Sequence, residues 1–91
     1  MTESFLLNVK RIYPLGEKGT VLQGWVASGR VAVGDQVSVA FPGHEKQCTI
    51  SAIEIERRLV NAVSSGVESG LLFANLTAAE VSGGVLSVFR A

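Results

Sequence analysis

Short runs of alternating apolar and polar residues, each ended by glycine, proline or asparagine, constrain this chain more than any other feature. The first run extends from Phe5 to Tyr13, with Phe5, Leu7 and Val9 on one face, and Pro14 ends it. An apolar period of two is that of a β-strand with one buried face. Such runs recur at intervals of about 10 to 15 residues, which favours a barrel or sandwich over a helical bundle.

Five further runs are predicted to be strands. They span residues 19–28, 36–41, 47–56, 70–77 and 84–90. In the first of them Gly24 marks a bend, a bulge or the close approach of another backbone. The 47–56 run changes parity between Ile50 and Ile53, which predicts a β-bulge near Ala52 that keeps both halves on the core.

The segments between these runs are predicted to be turns. Residues 29–35 form a tight return, and residues 42–46 form a polar hairpin tip that contains the only histidine, His44. The connection at 57–69 is long for a barrel and is predicted to hold a helical turn over 59–63. Residues 78–84 are predicted to be a turn before the last strand.

The size and charge of the chain limit its partners. Its 91 residues are expected to form a single domain over 1–91 with a core at about 5–90. Eight basic residues balance eight acidic ones, so the charged field that nucleic acid or an anionic membrane needs is missing. Only 18% of residues are charged and 47% are hydrophobic, which favours a protein partner or a homo-oligomer.

Cysteine and histidine usage gives no sign of a metal or cofactor. The single Cys48 cannot form an intramolecular disulfide, and its apolar alternation with Ile50 predicts core packing rather than a reactive thiol. His44 has no second ligand nearby. With no apolar run long enough to span a membrane and no signal-like opening, we expect a cytoplasmic protein.

The order of the pieces resembles the β-barrel second domain of the translation elongation GTPases, such as elongation factor Tu. The resemblance covers Phe5 to Ser87 and includes the segments SAIEIERRL, GLLFANL and VSGGVLS. Its most specific part is G-T-V-x-x-G-x-V-x-x-G-x-V-x-V-G-D, formed by Gly19, Thr20, Val21, Gly24, Val26, Gly29, Val31, Val33, Gly34 and Asp35. The resemblance implies an all-β fold, a six-stranded antiparallel Greek-key barrel, here without a GTPase domain.

Nucleotide binding is not expected. Gly29 and Gly34 have the glycine spacing of a phosphate-binding loop, but Asp35 stands where that loop requires lysine. A carboxylate at this point would repel phosphate, so the segment is interpreted as a turn.

In elongation factor Tu this barrel also helps to hold the aminoacylated end of tRNA. Carried over by position, the residues concerned are Lys10, Arg11, Tyr13, Gln23, Glu54 and Arg57. Lys10 and Arg11 replace two acidic residues of the family, and Gln23 replaces a threonine. The reversed charges would oppose a cationic α-amino group by Coulomb repulsion.

Three hypotheses for function follow. The first is a non-enzymatic interaction module that binds a protein or itself, with Trp25 as an interface anchor if it lies outside the core. Core packing is the favoured placement of Trp25, although the bend at Gly24 makes its parity uncertain. The alternative is a translation-associated accessory that binds tRNA or the ribosome, with Arg57 and Arg58 among its contacts. The third is an enzyme with a site between subunits, based on the nearness of Glu54, Glu56 and Arg57.

Overall fold

A computed structural model describes residues 4–91 of the chain. The described part is folded almost entirely as β-structure. The strands are β1 (Phe5–Pro14), β2 (Thr20–Ala32), β3 (Gln36–Phe41), β4 (His44–Thr49), β5 (Ala52–Ile55), β6 (Arg58–Val60), β7 (Ala62–Ser64), β8 (Glu68–Phe73) and β9 (Ser87–Arg90), with a 3-10 turn at Gly16–Lys18 and one helix, α1 (Ala78–Val81).

The described strands form one antiparallel sheet system. Neighbouring strands follow the order β4-β3-β9-β1-β2-β8-β5-β6, and β7 pairs with the far end of β2. The prediction of an all-β antiparallel fold is confirmed. The sheet has nine strands rather than six because the 47–56 run is divided in two and the 57–69 connection contributes two short strands.

The division of the 47–56 run explains its change of parity. The chain leaves the ladder with β3 after Thr49 and joins the ladder with β8 at Ala52. At the corner, the Ile50 carbonyl accepts a hydrogen bond from Gly34 N–H at 2.8 Å, and Ser51 N–H donates to the Leu72 carbonyl at 2.8 Å. The change of parity predicted as a bulge is therefore a change of partner strand. Ile50, before the corner, and Ile53, after it, are both buried in the core.

Four predicted connections differ in the structure. The return predicted at 29–35 is only a turn at 33–34, because β2 continues through Ala32. The helical turn predicted over 59–63 is wrong, since β6 and β7 occupy this region. The hairpin tip is only Pro42–Gly43, because His44 already pairs with Phe41. The turn predicted at 78–84 contains α1, whose first turn is held by a capping box: the Thr77 hydroxyl accepts from Glu80 N–H, and the Glu80 carboxylate accepts from Thr77 N–H.

The core is one continuous cluster on the inner face of the sheet. Its apolar residues alternate along each strand, as the period of two predicts. The largest fully buried side chains are Phe5, Phe73, Leu7, Leu22, Ile50, Ile53, Leu71 and Leu76. Cys48 belongs to this cluster at 2% exposure, which confirms its predicted core position, and burial raises the pKa of its thiol.

Gly24 allows β1 and β2 to approach closely. A Cβ atom at this position would lie 1.9 Å from the Asn8 carbonyl oxygen. The β1–β2 register shifts nearby, between Val9 and Arg11, so that Lys10 has no direct partner. Of the alternatives predicted for Gly24, the close approach of another backbone is confirmed, and the bulge lies opposite it in β1.

A partly buried ion pair joins the last strand to the turn before β3. The Asp35 carboxylate accepts from Ala32 N–H at 2.9 Å and from the Arg90 guanidinium at 3.0 Å. Arg90 also donates to the Arg30 carbonyl at 2.9 Å. These four residues, which we call the Asp35 clasp, connect β9 with the region between β2 and β3.

Candidate functional site

The candidate site lies on the outer face of the sheet, above β1, β2, β8 and β5. Alternation along β2 directs Leu22 and Val26 into the core, while Val21, Gln23 and Trp25 face outward. On the neighbouring strand, Gly70 stands directly opposite Gln23. Because Gly70 has no side chain, the outer face of the sheet has a depression at this position.

This depression is an open cleft of about 810 Å³. It extends from the end of β1 to the β5–β6 hairpin and the segment before β8. Its lining residues are Arg11, Tyr13, Leu15, Val21, Gln23, Glu54, Ile55, Glu56, Arg57, Gly66, Val67, Glu68, Ser69 and Gly70.

Gly70 leaves the cleft open, although the backbone conformation at this position does not require glycine. Its φ is not in the left-handed region, and an added Cβ would meet only Val21 Cγ1, at 3.0 Å. At Gly24, by contrast, an added Cβ would strike backbone. A side chain at position 70 would therefore project into the cleft and cover part of its floor, with a small adjustment of Val21.

One end of the cleft is mostly apolar. A smaller hollow of about 180 Å³ adjoins the main cleft and shares Leu15, Val21, Glu54 and Gly70 with it. Leu72 and Ala52 form its base, and Leu59, which is 79% exposed, stands at its rim. Leucine side chains this exposed are available to a ligand with an apolar group.

The other end of the cleft carries charges of both signs. Arg11 donates from its guanidinium to the Tyr13 hydroxyl at 3.5 Å, and this contact raises the pKa of Arg11. Lys10, just outside the cleft, lies 3.7 Å from the carboxylate of Glu68 on the cleft wall. Tyr13 is 41% exposed, so its ring can stack on a planar group of a ligand.

The β5–β6 hairpin at the cleft wall has a strained turn. Glu56 and Arg57 have φ values of 50° and 68°. Two successive positive φ values are those of a type I′ turn, in which Asn-Gly is the usual sequence. In each residue the left-handed backbone costs about 1 kcal/mol or more, and such strain is often found at binding sites.

Five of the eight residues proposed from the sequence meet in the cleft: Arg11, Tyr13, Gln23, Glu54 and Arg57. Three do not line it. Lys10 is outside the cleft and contacts the wall residue Glu68. Trp25 is 44% exposed and stands opposite Glu68 in the neighbouring strand. Arg58 lies on β6. The favoured core packing of Trp25 is therefore wrong: its side chain faces outward, the arrangement required of an interface anchor.

Sequence reasoning missed the floor and the far wall of the cleft, above all Gly70 and Glu68. A glycine directly before the apolar residues 71–73 was the available signal, since strand glycines often mark the approach of another group. Ser69 was also missed: it is 2% exposed, and among the described residues its hydroxyl finds no hydrogen-bond partner.

Metal coordination finds no support within residues 4–91, where no group of three or more His, Cys, Asp or Glu side chains is gathered. His44 stacks on Phe41, with ring centroids 4.6 Å apart. Neither described helical segment is long and apolar enough to cross a membrane.

The fold resembles that of a translation elongation factor domain. It superimposes on translation elongation factor SelB from Methanococcus maripaludis, in its apo form, with a TM-score of 0.81 and 21% sequence identity. The match covers 96% of this chain and 18% of that protein. No protein-family model matches the chain. The likeness shows the fold: a β-domain of the kind found in translation factors.

Proposed function

We propose that this chain is a non-enzymatic interaction module of the translation-factor type and that its ligand, a segment of a partner protein, binds in the cleft. The observation that carries the proposal is the convergence of Arg11, Gln23 and Glu54, from three different strands, around the bare floor at Gly70. Convergent polar groups in a concave site are typical of ligand binding.

The lining of the cleft suits an extended peptide. Its apolar end, at Leu15 and Leu59, can take a hydrophobic side chain. Its charged end offers Arg11 to an acidic group and Glu68 to a basic one. Tyrosine and arginine are the residue types enriched where protein interfaces gain most of their affinity.

A binding role fits these side chains better than catalysis does. Glu54 and Glu56 are both exposed and border an open cleft. A general acid or base is usually tuned by burial or by a close charged neighbour, and water is excluded around the reacting group. Neither carboxylate is shielded from water in this way.

The test is capture from cell lysate by the wild-type protein, by Gly70→Val and by Thr49→Val. Valine at position 70 covers part of the cleft floor, while valine at the exposed position 49 of β4 is a matched control in another strand. We expect one protein to be retained by the wild type and by Thr49→Val after nuclease treatment, and to be lost with Gly70→Val. Retention by Gly70→Val would show that the cleft is not the binding site.

A second candidate is binding of an RNA end. It is favoured by one observation: the five cleft residues proposed from the sequence all hold positions that, in elongation factor Tu, lie near the end of tRNA. Arg11 and Arg57 would then contact phosphates, and Tyr13 would stack on a base.

Fluorescence anisotropy with labelled, unfractionated tRNA at low ionic strength tests this candidate. Binding that weakens with salt, and weakens further in Arg11→Glu and Arg57→Glu but not in Lys18→Glu, would support it. Lys18 is an exposed basic residue outside the cleft lining, so it controls for the general effect of charge reversal. Absence of salt-dependent binding would remove the RNA candidate and leave the protein-binding proposal untouched.

A further inference from the structure

Strand β8 loses one of its two neighbouring strands inside the cleft. On one side it pairs with β2 as far as Glu68. On the other side its last pair with β5 is Gly70 with Glu54, and beyond that pair β5 turns away into β6. The first two residues of β8, at 68–69, therefore have a free strand edge, and both residues line the cleft.

Two hydrogen bonds show which backbone groups lie on this free edge. The Val67 carbonyl accepts from Val26 N–H at 3.0 Å, so it points toward β2. The Leu72 carbonyl accepts from Ser51 N–H at 2.8 Å, so it points toward β5. Backbone groups alternate in direction along a strand, and the register of β8 with β2 has no shift. Both bonds therefore direct the N–H and C=O of Glu68 to the free edge, where no strand within 4–91 pairs with them.

We propose that the ligand of the cleft is an extended segment that pairs with Glu68 through its own backbone. The inference rests on the proposed binding function of the cleft and names how the ligand is held. Glu68 is exposed, and it offers a donor and an acceptor on one strand edge. These are the groups that strand addition to a sheet uses. The bare floor at Gly70 leaves room for side chains that the added strand directs to the outer face.

Ser69 indicates one residue of the added strand. Its neighbours Glu68 and Gly70 face outward, so Ser69 faces inward, where it is 2% exposed. Its hydroxyl has no hydrogen-bond partner among the described residues, which is uncommon for a buried polar group. The ligand residue opposite Ser69 faces inward as well, with its Cβ about 5 Å away. A serine, threonine or asparagine at this ligand position supplies the missing hydrogen bond.

The test uses linear peptides selected on the wild-type protein from a phage-displayed random library. Glu68→Pro removes the N–H on the free edge, and proline is tolerated where the N–H of a strand residue has no partner. Glu68→Ala, the matched control, loses the same side chain and keeps the N–H. We expect Glu68→Pro to bind the selected peptides about fivefold more weakly than Glu68→Ala, because one hydrogen bond is lost.

Two measurements separate a lost hydrogen bond from a damaged fold. In wild type, hydrogen exchange at the Glu68 amide should slow when a selected peptide is bound. A library selected on Ser69→Ala should lose the preference for a serine, threonine or asparagine at one position.

Equal binding by Glu68→Pro and Glu68→Ala would overturn the proposal, as would unchanged exchange at the Glu68 amide or selection of no linear peptide. Lysate capture that is lost with Gly70→Val and kept with Glu68→Pro would leave the cleft as the binding site and overturn strand pairing alone. Failure of this inference is therefore distinguishable from failure of the proposed function.

Discussion

Charged residues are used in opposite ways at the Asp35 clasp and at the cleft. In the clasp, Asp35 and Arg90 are bonded to each other and to two backbone groups at the end of β2, and the Arg90 side chain is only 14% exposed. In the cleft, Arg57 and Glu54 are exposed on a rim around an empty floor. Charges in the clasp therefore serve folding, whereas those in the cleft are available to a ligand.

The largest effect is expected from Asp35→Asn. The substitution removes a charge that accepts from Ala32 N–H and from Arg90, and we expect it to lower the free energy of unfolding by about 1.5 kcal/mol near pH 7. This value allows for screening, since the Asp35 side chain is 36% exposed. Chemical denaturation measures it, with Glu17→Gln, at an exposed residue in a turn, as the control.

The Asp35 carboxylate also makes the free energy of unfolding depend on pH. The hydrogen bond from Ala32 N–H and the contact with Arg90 lower the pKa of Asp35 in the folded protein. Its contribution to stability is therefore complete above the unfolded pKa of about 3.9 and is lost as pH falls from there through the folded pKa. Wild type should lose more stability than Asp35→Asn over this acidic range. Equal acid sensitivity would contradict the role given to the clasp.

A smaller effect of opposite sign is expected at the cleft wall. Glu56 adopts φ 50° in a type I′ turn, where asparagine is favoured at the first position. Glu56→Asn should therefore raise the free energy of unfolding by about 1 kcal/mol. Glu45→Asn, in β4 with ordinary strand backbone, should not stabilise the protein. A destabilised Glu56→Asn would mean that Glu56 supports the fold and that the contrast with the clasp is wrong.

The smallest effect is expected from Lys10→Gln. Lys10 and Glu68 are 3.7 Å apart, but their side chains are 61% and 51% exposed. Exposed pairs of this kind contribute little, so the free energy of unfolding should change by less than about 0.5 kcal/mol. Thermal denaturation at low and high salt measures it. A loss as large as that of Asp35→Asn would remove the distinction between the two regions.

The fold could be predicted where one pattern dominated. The period of two and the glycine motif located β1, β2 and β3, and the parity change after Ile50 located the corner between β4 and β5. The three-residue strands β6 and β7 were missed because a segment this short has no readable alternation. The start of α1 carried a readable signal, Thr77 followed three residues later by Glu80, but four helical residues are too few to show an apolar period.

The cleft could be predicted only in part. Arg11, Tyr13, Gln23, Glu54 and Arg57 were proposed together because the family resemblance supplied their positions. Gly70 and Glu68 were missed because β8 lies beside β2 through a long connection, and sequence order alone does not show which strands pair. Trp25 remained ambiguous because the irregular pairing of β1 with β2 near Gly24 makes parity uncertain from sequence.

The most direct test of the central claim, that the cleft is the binding surface, is site-specific photo-crosslinking in cell lysate. A photoreactive residue replaces Gln23 at the cleft floor in one variant and Thr49 on β4 in another. Our account predicts a discrete crosslinked product from position 23 and none from position 49. The same products from both positions, or products from position 49 alone, would contradict it.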